Sequence, residues 1–213
     1  MFDFKVSIVE EYTPFFISGA LLTVKLSVIA IAAGFFIGLF LALARISSKK
    51  YLSIPAVCFI ESIRGTPLLL QILITYFGVI PLIMRKPDGV LAAVIALSIN
   101  AGAYIAETIR GGILATDPGQ MEAASALGLS HFQAMRYVIL PQAIRSVIPA
   151  LGNSFVSLIK DSSLASVIAT PELMYWANAQ YYRVWETFIT TAVIYLFLTL
   201  VTGRILGVLE KNH

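Results

Sequence analysis

The sequence predicts an all-α membrane protein with about five transmembrane helices. Of its 213 residues, 58% are hydrophobic and 13% are charged, and the mean hydropathy is +0.86. Soluble domains are typically about 45–50% apolar and about 25% charged. At about 20 residues per spanning helix, this length holds five spans with their loops and leaves no room for a separate catalytic domain.

Five apolar runs define the predicted spans, all within a single domain of residues 1–213. They cover about residues 14–44, 54–83, 90–109, 144–168 and 187–209. The first is too long for the apolar core of a signal peptide, so we expect it to be retained. The second is too long for one straight helix, and Pro67 disfavours helical backbone at Thr66, so we expect a break there. The third follows a polar turn, the fourth crosses Lys160 and Asp161, and the fifth follows an aromatic-rich loop.

Lysine and arginine counts predict the orientation of these spans. With the N-terminus outside, the inner segments hold eight of these residues and the outer segments hold four. Because inner loops of membrane proteins are enriched in Lys and Arg, this bias favours an outer N-terminus. The formal net charge of +3 is explained by residues flanking the spans and indicates no nucleic acid partner.

Small residues recur at every fourth position in the first and last spans. They are Ala30, Gly34, Gly38 and Ala42, and then Gly203 and Gly207. Small residues at this spacing let helix backbones approach closely in lipid. The pattern is consistent with packing inside one subunit and with an interface between subunits.

A polar insert at about 111–142 interrupts the apolar sequence and is expected to lie in the cytoplasm. Asp117, followed by a proline, predicts the start of a short helix, and Gly128 suits its end. Ser130, with a glutamine three residues later, predicts a capping box at the start of a second short helix. We expect this second helix to end before Pro141.

The insert carries a spaced pattern: Glu-Ala-Ala, three residues, Gly, nine residues, an aliphatic residue, one residue and Leu-Pro. Its fixed positions are Glu122, Ala123, Ala124, Gly128, Leu140 and Pro141. This pattern resembles the EAA loop of the membrane-spanning permease subunits of ATP-binding cassette (ABC) importers. The resemblance implies that these six residues form the contact through which a separate ATPase drives the permease.

Three further motifs resemble the polar amino acid branch of these permeases. They are Arg-Gly-Thr-Pro-Leu-Leu-Leu-Gln at 64–71, Ala-Tyr-Ile-Ala-Glu-Thr-Ile-Arg-Gly-Gly-Ile at 103–113 and Lys-Asp-Ser-Ser-Leu at 160–164. The resemblance implies a type I importer permease in a prokaryotic inner or plasma membrane, surrounded by lipid and working as a homo- or heterodimer. It also implies ATPase subunits on the cytoplasmic side, an extracellular or periplasmic amino acid-binding protein, and transport by alternating access.

We expect this chain not to be an enzyme and to bind no cofactor of its own. No Gly-x-x-x-x-Gly-Lys-Ser/Thr occurs in the sequence, so it lacks a phosphate-binding loop of that kind. The two histidines are too far apart in sequence to suggest a metal site. ATP and Mg²⁺ are therefore expected in the partner ATPase.

Charged side chains at membrane depth point to the cargo site, because each costs about 2.5–3.5 kcal/mol to insert. Two acids, Glu61 and Asp161, suit a cationic amino acid such as arginine, lysine or histidine. The expected break at Pro67 would bring polar groups to the same place. The predicted cargo ligands are Glu61, Thr66, Gln71, Asn100 and Asp161. In the alternative interpretation the acids only pair locally, Glu61 with Arg64 and Asp161 with Lys160.

A competing function is that of a self-sufficient secondary transporter or channel for amino acids. Such proteins often carry an internal repeat, or interrupted spans at matching positions in two halves. Five spans do not divide into equal halves, and the sequence shows no repeat. This alternative also gives no reason for the alanine-rich insert.

Overall fold

A computed structural model describes residues 4–179 and 183–211 as a helical protein without strands in those ranges. Ten α-helices follow one another: α1 (Val6–Ile46), α2 (Lys50–Arg64), α3 (Leu68–Ile74), α4 (Ile80–Met84), α5 (Gly89–Leu114), α6 (Pro118–Ala126), α7 (His131–Ala134), α8 (Leu140–Asp161), α9 (Leu173–Ala179) and α10 (Val184–Lys211). Residues 1–3, 180–182 and 212–213 of the predicted domain lie outside the described ranges.

Three of the described helices are long and apolar enough to cross a membrane. They are α1, α5 and α10, and the pair formed by α2 with α3–α4 makes a fourth if it is one bent span. The two halves of that pair meet at an angle of 104°. The number of spans, the span at 144–168 and the outer N-terminus therefore stay predictions. Lys160 and Asp161, at the end of α8, make that helix more polar than the other three.

The core forms where α1 packs directly against α5. A Cβ atom added to Gly34 would lie 2.8 Å from the Ala101 side chain, and one added to Gly38 would lie 2.7 Å from Ile105. The small residues of the first span therefore pack inside the subunit, because only glycine permits this approach. Gly203, on α10, has open space around its Cα atom, so the last span does not share this role.

Two prolines are accommodated inside continuous helical segments. Pro81 and Pro141 each follow a five-residue π-helical stretch, at Thr75–Val79 and Met135–Ile139. Proline has no backbone N–H group to donate to the carbonyl four residues earlier. The wider π-helical turn before each proline shifts the hydrogen-bonding pattern, so that this bond is not required. The prediction that the second short helix ends before Pro141 is therefore wrong, since helical backbone runs on from α7 into α8.

The sequence signals at the start of α6 and α7 are confirmed. The Asp117 side chain accepts a hydrogen bond from the backbone N–H of Gly119 at 2.8 Å. Ser130 and Gln133 form both bonds of the capping box. Between the helices, Gly128 has a φ of +81°, a left-handed conformation that favours glycine.

Candidate functional site

The site is organised by the helix break at residues 65–67. α2 ends at Arg64 and α3 begins at Leu68. The break leaves carbonyl groups of α2 without helical partners, and the side-chain amide of Gln71 satisfies two of the carbonyls beside it. It donates to the carbonyl oxygen of Ile63 at 2.7 Å and to that of Thr66 at 3.1 Å. The geometry of the break is therefore fixed by a side chain of the next helix.

The same glutamine ties the break to α5. The Nδ2 atom of Asn100 donates to the Oε1 atom of Gln71 at 3.0 Å. The Nε2 and Oε1 atoms of Gln71 are thus both hydrogen-bonded within the protein, and the residue is only 9% exposed. Three predicted ligands, Thr66, Gln71 and Asn100, come together here, but Gln71 holds the break in place and does not line the cavity described next.

A cavity of about 530 Å³ lies between the break, α5, α8 and the 3₁₀ segment Ser162–Ile168. Its lining residues are Thr66, Pro67, Leu68, Asn100, Ala101, Tyr104, Asn153, Ser154, Ser157, Leu158, Asp161 and Leu164. This volume lies within the range of small-molecule sites, about 300–1,000 Å³. Among these lining residues, Asp161 is the one side chain that is charged at neutral pH.

The polar lining can bind both ends of a zwitterion. The amides of Asn100 and Asn153 and the hydroxyl of Ser157 are able to donate hydrogen bonds to a carboxylate. The carboxylate of Asp161 accepts hydrogen bonds and carries the charge that an ammonium or guanidinium group requires. The arrangement offers groups for recognition and no nucleophile paired with a base.

Lys160 and Asp161 face different cavities, as expected for neighbours on one helix. Lys160 borders a second cavity of about 310 Å³ between α8, α9 and α10, together with Tyr195. It makes no ion pair with an acid elsewhere in the described ranges. Among the described lining residues, no basic side chain therefore faces Asp161 inside the first cavity.

Glu61 lies away from this cavity, contrary to the expectation that it faces the same ligand as Asp161. Its side chain is 59% exposed and lies 3.4 Å from the Nη1 atom of Arg45. The physical reason is the 104° bend, because Glu61 precedes the break while the residues at the break approach α5 and α8. The expected local pair also differs, since Arg64 reaches Glu107 at 3.6 Å.

The α6–α7 segment presents a second candidate surface, at the opposite end of α8 from Asp161. Glu122, Ala123 and Gly128 are exposed, whereas Ala124 packs inward with 3% exposure. Leu140 and Pro141, at the start of α8, are also exposed. Three large apolar or aromatic side chains in this segment and the π-helical stretch after it are exposed as well: Leu127, Phe132 and Tyr137. Apolar groups clustered at a polar segment are typical of a protein–protein contact.

Comparison with known proteins identifies the family. Residues 34–212 match the family described as "Binding-protein-dependent transport system inner membrane component". This chain belongs to that family. It is therefore a permease of the inner membrane, and the predicted resemblance to the permeases of polar amino acid ABC importers is confirmed.

Curated relatives match this permease over nearly its full length. The glutamine transport system permease protein GlnP of Escherichia coli (strain K12) is 41% identical, covering 99% of this chain and 98% of that protein. The probable amino-acid ABC transporter permease protein YckA of Bacillus subtilis (strain 168) is 40% identical, with 99% and 94% covered. The arginine transport system permease protein ArtQ of the same organism is 38% identical, with 99% and 96% covered.

Solved structures confirm the predicted fold class. A chain from the crystal structure of an amino acid ABC transporter with histidines is 45% identical, covers 100% of both chains and has a TM-score of 0.92. A chain of the MetNI methionine ABC transporter in an inward-facing conformation is 20% identical, with 95% and 98% covered and a TM-score of 0.80. The second match shows a shared fold. The permease has the type I importer fold.

One buried acid of the permease was not found from the sequence. Glu172 lies between the fourth and fifth predicted spans and is fully buried. Its carboxylate accepts hydrogen bonds from the backbone N–H groups of Met174 and Tyr175, at 2.9 and 2.7 Å, and from the Tyr195 hydroxyl at 2.9 Å. It thereby joins α9 to α10. The only local signal is its position at the start of a short helix.

Burial should make the stability of the permease depend on pH through Glu172. Loss of water around the charged form raises the pKa of this carboxyl from 4.5 to about 7, although its hydrogen bonds lower it. Between these values the folded protein binds more protons than the unfolded chain, so the free energy of unfolding falls as pH rises. The loss across this window is about 3 kcal/mol.

This loss is measurable as the midpoint of thermal unfolding of the purified transporter between pH 5 and pH 7.5, about the window set by the two pKa values. Glu172→Gln should remove most of the slope, whereas Glu11→Gln, at an exposed position, should retain it. An unchanged slope in Glu172→Gln would show that another group titrates.

Proposed function

We propose that this permease carries a cationic amino acid inward by alternating access, driven by ATP hydrolysis in a partner subunit. The observation that carries the proposal is the cavity beside the helix break, with Asp161 as the one charged side chain of its described lining. ATP and Mg²⁺ belong to the partner, and the cargo enters from an external binding protein.

The charge balance of the cavity favours a cation. A zwitterionic amino acid carries no net charge and would leave the negative charge of Asp161 without a compensating charge inside the cavity. An amino acid with a cationic side chain, such as arginine, lysine or histidine in its protonated form, makes the occupied cavity neutral. Compensation matters because charges attract more strongly in a partly buried site than in water.

The relatives support amino acid transport without choosing among amino acids. GlnP is named for glutamine and ArtQ for arginine, and both are about equally similar to this chain. The choice among amino acids therefore depends on the side chains that line the cavity. Family membership favours the importer subunit over a self-sufficient transporter or channel, because the matching family is binding-protein-dependent.

The α6–α7 surface is the proposed contact for the ATPase. Glu122, Ala123 and Gly128 are exposed there, and the small side chain at position 123 lets a second surface come close. A second permease subunit, identical or different, would complete the membrane part. Movement of α6 would pass to α5 through the three residues that separate the two helices.

A binding experiment on the assembled transporter without its binding protein tests the cargo. Calorimetry should show arginine binding at least about tenfold more tightly than citrulline, its neutral counterpart of nearly the same shape, a difference of about 1.4 kcal/mol. ATP-dependent uptake of arginine into vesicles containing the complete transporter tests the broader function.

The two measurements separate the two parts of the proposal. Equal affinity for arginine and citrulline would contradict a cationic cargo and leave amino acid import standing. Uptake that needs no nucleotide and no ATPase subunit would contradict the importer itself and favour the secondary transporter.

A further inference from the structure

A cluster of charged residues lies at the end of the cavity nearest the α6–α7 surface. Glu107, on α5, is one helical turn beyond Tyr104, which lines the cavity. Its carboxylate lies 2.9 Å from Arg45 of α1, 3.0 Å from Arg110 of α5 and 3.6 Å from Arg64 of α2. One acid thus holds three helices together.

The cluster is more than a set of surface ion pairs. The side chains of Glu107 and Arg45 are only 15% and 16% exposed, so water screens their attraction less than at an open surface. Isolated, exposed ion pairs contribute little to stability, whereas partly buried networks of charges with good geometry hold their side chains in place. The cluster therefore fixes how α1, α2 and α5 meet.

Arg64 differs from the other two arginines because it also touches the cavity wall. Its guanidinium carbon lies 5.4 Å from the centre of the Tyr104 ring, a distance suited to a cation–π contact. Arg64 is also the last residue of α2, two positions before Thr66, which lines the cavity. Arg64 thus connects Glu107 with both the tyrosine and the break.

We propose that Arg64, held by Glu107, is a positioning residue that transmits movement of the cytoplasmic helices to the cargo cavity. α6 follows α5 closely, so a force on α6 acts on α5 and on Glu107. Glu107 pulls on Arg64, and Arg64 moves the break and the ring of Tyr104. This inference rests on the proposed function, since it concerns how ATP-driven movement reaches the cargo.

The geometry allows a sharp distinction from a purely stabilising cluster. The contacts of Glu107 with Arg45 and Arg110 are shorter than its contact with Arg64, and Arg110 adds hydrogen bonds from its Nε atom. If the cluster only stabilises the fold, loss of Arg64 should lower the thermal stability least and leave transport unchanged. If Arg64 transmits movement, its loss should lower the uptake per ATP more than loss of either other arginine.

The experiment compares Arg64→Gln with two matched controls, Arg45→Gln and Arg110→Gln, in the complete transporter in vesicles. The readouts are arginine taken up per ATP hydrolysed and the midpoint of thermal unfolding. We expect Arg64→Gln to lower the uptake ratio at least about fivefold with the smallest loss of thermal stability. Both controls should keep the ratio within about twofold of the native value, below the usual range of such couplings.

Two further variants test the role of Tyr104 and exclude misfolding as the cause of a lower ratio. Tyr104→Ala should lower the ratio as Arg64→Gln does, and Arg64→Lys should restore part of it by keeping the charge opposite Glu107. An unchanged ratio in Arg64→Gln, or an equal fall in all three arginine variants, would overturn the inference. Failure of the native transporter to import arginine would instead contradict the proposed function.

Discussion

Asp161→Asn is expected to weaken the stimulation of ATP hydrolysis by arginine in the assembled transporter. Asparagine keeps the size of the side chain and removes the one negative charge in the described lining of the cavity. Removing one partner of a buried charge pair typically costs about 2–5 kcal/mol of binding free energy. The arginine concentration for half-maximal stimulation should therefore rise at least about tenfold, as measured by phosphate release in vesicles.

Glu61→Gln is the matched control for this prediction. It makes the same chemical change at an exposed acid that lies outside the cavity and contacts Arg45. Its stimulation by arginine should stay close to that of the native transporter. An unchanged response to arginine in both variants would exclude a cationic site built on either acid, and a weaker response in Glu61→Gln alone would place that site outside the cavity, at the end of α2 that precedes the break.

Gly128→Val is expected to separate ATP hydrolysis from transport while the chain still inserts into the membrane. Gly128 has a φ of +81°, and a Cβ atom added there would meet no other atom within 4 Å. The substitution therefore causes no collision, but it strains the backbone by about 1–2 kcal/mol. The native angle between α6 and α7 should become about 5- to 30-fold less populated, because one to two kcal/mol changes an equilibrium by about that factor.

The measurement is again amino acid taken up per ATP hydrolysed. Asparagine tolerates left-handed backbone better than other side chains, so Gly128→Asn should retain much of the coupling that Gly128→Val loses. Gly203→Val, which adds the same side chain at an open helical position, controls for the extra volume. Normal uptake per ATP by Gly128→Val would show that the turn between α6 and α7 is not needed to couple ATP hydrolysis to transport.

Features decided by near neighbours in sequence could be predicted. Pro67 breaks the second span, Ser130 caps α7, and Gly128 takes the left-handed conformation expected at a helix end. Each depends on steric or hydrogen-bonding limits within a few residues. Pro141 was the exception among the local signals, because a π turn lets the helix continue where a proline usually ends it.

Features decided by distant contacts could not be predicted. The alternative interpretation of the sequence pairs Glu61 with Arg64, but each contacts a residue on another helix, Arg45 and Glu107 respectively. The sequence around Glu172 carries little signal for a related reason. The Tyr195 hydroxyl from which Glu172 accepts a hydrogen bond lies 23 residues later in the chain. Which of several nearby charges pair depends on how the helices cross, and spacing along one helix does not contain that information.

The direct contact between α1 and α5 limits where the permease can deform. Gly102 faces Ile37 so closely that an added Cβ would lie 2.6 Å from its Cγ2 atom, and the glycines of α1 approach α5 in the same way. Packing this close leaves little room for one helix to slide past the other, and protein interiors compress little. We therefore expect the two helices to move as one rigid body. The hinge of that motion then falls at residues 65–67, where the helical hydrogen bonds are already interrupted.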